Sequence, residues 1–107
     1  MANPLAGEVS LEIGGETRVL KLTLGALAEL EATLGADSLV HLVERFEAGR
    51  FSARDIAAVL LAGLRGGGGL ASSAQVLEGD ITGGPMVAAR AAAELLARAF
   101  SVPGDIS

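Results

Sequence analysis

The sequence predicts an α+β fold: an N-terminal β-hairpin followed by a mainly α-helical bundle of about four helices. Three observations carry that expectation. Apolar and polar residues alternate along 8–22, interrupted by Gly14-Gly15. Beyond residue 23 the apolar spacing changes to threes and fours, the period of an amphipathic helix. Helix-capping residues and glycines then punctuate the remaining chain. At 107 residues a single domain, 1–107, is expected, with the hairpin at 8–22, the helical part at 23–100 and loose termini at 1–6 and 101–107. A chain of this size buries roughly two thirds of its unfolded surface, enough for one modest core.

In the first strand Val9, Leu11 and Ile13 alternate with Glu8, Ser10 and Glu12. Gly14-Gly15 suits the positive φ angles of a tight hairpin turn, and the return strand runs from Thr17 to Leu22. Two strands alone are marginal in water, so the hairpin must lean on helices or on another chain. Thr23 is placed to cap a helix that follows with almost no linker. Leu24, Leu27, Leu30 and Leu34 keep helical spacing, and Gly35 supplies a left-handed exit.

A second helix starts at Asp37 or Ser38 and runs to Ala48, with Leu39, Leu42, Val43 and Phe46 on one face. The third opens with Ser52 as N-cap and Asp55 completing a capping box, while Phe51 and Ile56 form a candidate hydrophobic staple. Its apolar stripe is Ile56, Val59, Leu60 and Leu64, and it ends at Arg65. A short helix from Ser72 or Ser73 to Glu78 follows, then a loop over 79–84. Pro85 suits the first position of the last helix, whose apolar end is Leu95, Leu96, Ala99 and Phe100.

Composition removes several function classes. Half the residues are hydrophobic but only 3% are aromatic, all phenylalanine, so stacking platforms for single-stranded nucleic acid are scarce. Thirteen acidic against eight basic residues give a formal charge of −5, which opposes binding to phosphate backbones and anionic membranes. The absence of cysteine removes disulfides, zinc thiolates and a thiol nucleophile. No signal peptide is visible, and no apolar run approaches the roughly 18 residues of a membrane span. A soluble cytoplasmic protein is the expectation.

Residues able to carry chemistry each have a plainer reading. Gly66–Gly69 lack the Gly-Lys-Ser/Thr ending of a phosphate loop and read more economically as a flexible connector. His41 is the sole histidine and reads as structural, beside Glu44 and Arg45. Glu29 and Glu31 stand two apart on a helix and share no face, so they read as a solvated pair flanking a leucine seam or as an acidic patch for a basic partner. Arg45, Arg50, Arg54 and Arg65 either solvate a helical surface or contribute to recognition. No acidic spacing matches a metal loop, so no metal, cofactor or catalytic residue is assigned.

The order and spacing of GEVSLEIGGETRVLKLTLGALAELEATLG and SLVHLVERFEAGRFSARDIAAVLLAGLRG carry a family resemblance. The elements are Gly14-Gly15, Val19 to Leu24, Leu30-Glu31, Leu34-Gly35, Phe51-Ser52 and Gly63-Leu64-Arg65. The chain resembles the small tail proteins of gene transfer agents and siphophage-like particles, classed among phage tail assembly chaperones. The resemblance spans residues 7–65, and the alanine-rich last helix agrees in kind; residues 66–80 depart from it in their glycine content.

The resemblance implies no catalytic residue. It implies a chaperone that shields the tape-measure protein and recruits tail-tube protein, with a minor structural tail component as the alternative. Self-association is left open; nucleic acid and membrane are not expected partners. Helix-in-groove packing and strand addition to an unpaired hairpin edge are the two modes such a protein can use. The candidate partner-binding residues are Leu24, Leu27, Glu31, Val43, Phe46 and Arg50. For Leu24, Leu27, Val43 and Phe46, periodicity alone does not separate core from interface.

Overall fold

The computed structural model describes residues 7–34, 38–68 and 79–100. Strands β1 (Glu8–Ile13) and β2 (Glu16–Lys21) form an antiparallel hairpin, followed by helices α1 (Leu24–Leu34), α2 (Leu39–Glu47), α3 (Ala53–Gly66) and α4 (Gly84–Ala99). This is the expected α+β architecture. The exit glycine proposed at Gly35 and the short helix proposed at 72–78 lie outside the described residues.

Gly14 and Gly15 have φ of 61° and 83°, so both central turn residues take the left-handed conformation that a two-residue hairpin of matching twist requires. The turn fixes the register, pairing Ile13 with Glu16, Leu11 with Arg18 and Val9 with Leu20. One face therefore buries Val9, Leu11, Ile13 and Leu20, and Leu22 continues it just past the strand. Arg18 stands on that same face and turns its guanidinium to Glu16 at 2.9 Å.

The helix starts follow the capping logic of the sequence. The Thr23 hydroxyl accepts from the Ala26 N–H at 3.1 Å, and the Ser38 hydroxyl accepts from the His41 N–H at 3.2 Å. Ser52 and Asp55 form a reciprocal box, with the Asp55 N–H donating to Ser52 Oγ at 3.1 Å and the Ser52 N–H to Asp55 Oδ2 at 2.9 Å. Gly83, at φ 93°, replaces a side-chain cap ahead of α4, and Pro85 occupies its first turn. Phe51 stacks on Phe46, centroids 4.8 Å apart and planes 12° from parallel, tying the end of α2 to the start of α3.

Helix α3 is the centre of the structure, packing against β2, α1 and α4. Leu20, Leu30, Leu42, Val59, Leu60 and Leu95 are the largest wholly buried side chains and come from β2 and all four described helices. The alanines Ala88, Ala91 and Ala92 bring α4 close to its neighbours without intervening bulk. At Gly63 a Cβ would stand 2.9 Å from Leu95 Cδ1 and 3.2 Å from Leu20 Cβ, so glycine sets the spacing of α3 against both. Phe100 departs from its expected place in the apolar end of α4: it is the C-cap, beyond the last buried turn, and lies exposed.

The surroundings of the hairpin hold two contacts that local sequence does not foretell. The glycine run after α3 does not begin as a loose connector. A Cβ on Gly66 would run into the Lys21 carbonyl oxygen and one on Gly67 into that of Val19, so both glycines lie backbone-to-backbone on the β2 edge. The segment 79–83 is irregular as expected, yet it touches the sheet edge through one isolated bridge. Ile81 bridges Ile13 antiparallel, the Gly14 N–H donates to the Asp80 carbonyl at 2.8 Å and the Thr82 N–H to the Glu12 carbonyl at 3.1 Å. The hairpin edges are thus partly covered, where the sequence suggested a bare one, because chain distant in sequence supplies the missing contacts.

Candidate functional site

Between the first half of α3 and the start of α4 lies an open groove of about 430 Å³. Ile56, Ala57 and Leu60 line it from α3, Ile81 from the bridge segment, and Pro85 and Ala88 from α4. The alternation of small and branched residues explains the cavity, since alanine and proline leave room that leucine would fill. Asp80 stands at its edge with the side chain exposed. Such a surface suits apolar side chains, and its described lining residues offer no convergent acid, base or nucleophile. Among the described residues no three of His, Asp or Glu are grouped to hold a metal ion.

Leu24, Leu27 and Glu31 fall on α1, Val43 and Phe46 on α2, and Arg50 in the turn between α2 and α3; α1 and α2 share no substantial interface. Leu24 opens α1 almost fully exposed, at 84%. Glu31 and Arg50 are exposed, and Leu27, Val43 and Phe46 are half-buried against the core. The six therefore do not converge on one pocket. The groove, by contrast, was not legible from sequence, because its walls meet only when residues 53–60 and 79–88 are brought together. Ile56 and Leu60 read as core stripe, and Ala57 and Pro85 gave no signal of recognition.

The arginines divide. Arg45 holds Asp55 in a two-bond fork, Nε to Oδ2 and Nη2 to Oδ1, each at 3.0 Å. The hydrogen bonds from Arg45 hold the Asp55 carboxyl below the ordinary aspartate value; burial opposes this, and the Ser52 N–H and the Arg45 charge add to the lowering. Arg65 pairs with Glu29 across α3 and α1 at 2.8 Å on an exposed face. Arg45 is thus engaged in the α2–α3 corner and Arg65 in a surface ion pair, and Arg50 and Arg54 are exposed. His41 is exposed on α2.

Among the described residues no helix is long and apolar enough to cross a membrane. Residues 6–102 match the family described as phage tail tube protein, GTA-gp10. No curated protein and no solved structure matches the chain.

Proposed function

The chain belongs to this family, a phage tail assembly chaperone family of gene transfer agents and not a family of enzymes, and on that premise we propose that it binds the tape-measure protein and helps recruit tail-tube subunits. The reading is supported chiefly by the open apolar groove between α3 and α4. A tape-measure protein is expected to be a long helical chain whose apolar seams aggregate until a tube encloses them. Laying such a seam into a groove lined by Ile56, Leu60 and Ala88 removes it from water by helix-in-groove packing. Met86, 75% exposed in the first turn of α4, and Leu24, 84% exposed at the start of α1, are further apolar side chains open to a partner. Glu31 and Arg50 supply exposed charge of either sign, and Leu27, Val43 and Phe46 present partly covered apolar edges. The absence of tryptophan and tyrosine suits a contact that must later be released.

Co-expression with a candidate tape-measure protein tests the proposal. The expected result is a higher soluble yield of that protein and its co-purification with this chain. Unchanged yield without co-purification counts decisively against it. The family's own description favours a second reading, a minor structural or tube-associated component retained in the particle. Mass spectrometry of purified particles separates the two: a chaperone departs, a structural component stays.

A further inference from the structure

The segment Asp80–Thr82 lies along the outer edge of β1 as an added strand would, yet it makes only part of the contact that edge permits. In the hairpin register Glu12 points its backbone groups away from β2, as its bond from Thr82 confirms, and by alternation so does Ser10. The segment engages Gly14 and Glu12 through one hydrogen bond each. The Glu12 N–H and both outward groups of Ser10 have no backbone partner among the described residues. Pairing stops there because the chain turns away at Gly83 and Gly84, φ 93° and 74°, and enters α4. Ile81 is only half-buried, and Asp80 and Thr82 are exposed.

We propose that the outer edge of β1, Ser10 to Gly14, is a strand-acceptor site for an extended aliphatic segment of a partner polypeptide, and that Asp80–Thr82 is its resident occupant. The resident shows the chemistry the site takes: a carbonyl for Gly14, an N–H for Glu12, and a branched aliphatic side chain opposite Ile13. A continuous partner strand satisfies the same groups and adds the Glu12 N–H and both groups of Ser10, so it outcompetes the shorter resident. Displacement leaves α4 in place, because the two glycines beside the segment tolerate a change of backbone direction that other residues resist. Ile81 also forms part of the groove wall, so strand exchange widens the groove as the partner enters.

The inference rests on the partner-binding reading above, but its test needs no tail protein. The isotopically labelled full chain is titrated with a synthetic peptide of residues 79–84 and followed at the Gly14 amide. Thr82→Pro removes the donor to Glu12 and leaves the acceptor edge unaltered. It is expected to raise the apparent peptide affinity roughly fivefold, the factor carried by one net backbone hydrogen bond. A peptide with aspartate in place of isoleucine is expected not to bind. Should Thr82→Pro fail to fold, Ile81→Ala weakens the resident through its side chain instead.

A lock supplies the converse. The chain has no cysteine, so I13C/I81C places a single disulfide across a facing, non-hydrogen-bonded pair, where the Cα separation suits one. Oxidised, this variant is expected to lose the peptide response, and reduced to regain it. Equal peptide affinity in wild type and in the weakened variant overturns the proposal, as does an oxidised form that still binds. Either failure leaves the co-expression result, and the chaperone reading with it, standing on its own.

Discussion

Replacing Asp55 by alanine tests how the α2–α3 corner is held. Asp55 is 7% exposed, caps α3 through the Ser52 N–H and takes both Arg45 bonds at 3.0 Å. Loss of the cap costs about 1 kcal/mol. Loss of the charge-assisted bonds costs about 1.5–3 kcal/mol, and the low end applies because the Arg45 side chain keeps 27% exposure and water resolvates it. The sum, about 2.5 kcal/mol, lowers the melting temperature by roughly 10–20 °C in a domain of this size. Urea unfolding followed by circular dichroism, in a double-mutant cycle with Arg45→Met, isolates the pair. A coupling of about 1 kcal/mol or more is expected. A coupling below about 0.3 kcal/mol refutes the assignment of that energy to the Arg45–Asp55 fork.

The same pair sets a pH signature, because the folded carboxyl titrates below its ordinary value of 3.8. Its stabilisation is therefore complete above that value and is lost as pH falls through the lower folded value; Asp55→Asn flattens this acid limb of the stability profile.

Gly67→Ala is expected to destabilise by about 2 kcal/mol through contact with the Val19 carbonyl, although its φ of −80° is one alanine adopts readily; thermal melts showing no change would restore a free connector at that position. Gly68, at φ 90° with open space around it, is expected to cost only about 1 kcal/mol on the same substitution. Leu24→Ser is expected to leave stability within about 0.5 kcal/mol and to reduce tape-measure co-purification, whereas Leu30→Ala, buried at 1% exposure, costs about 2–5 kcal/mol. Ala57→Arg places a charge in the groove from an exposed position, so co-purification falls while the melting temperature stays within a few degrees. Unchanged co-purification in that variant moves the contact elsewhere.

Local signals made much of the framework legible. The Gly14-Gly15 turn, the alternation of Val9, Leu11 and Ile13, and the caps at Thr23, Ser38 and Ser52 all act within a few residues, so their sequence is enough to specify them. The candidate surface was legible only in part. Leu24 and Leu27 belong to one helical pattern, yet the first is exposed and the second packs on the core, because exposure depends on where the helix end projects beyond its neighbours.

By itself, then, the sequence determined the order of elements, their starts and their apolar faces, since hydrogen bonding along the chain and side-chain period are local properties. Tertiary structure decided what no period encodes. It set Gly66 and Gly67 against the β2 carbonyls, carried Ile81 to Ile13 on the far side of the hairpin, and opened a groove lined by Ala57 of one helix and Pro85 of another. Each of these joins residues distant along the chain, and its energy exists only once packing has brought them within contact.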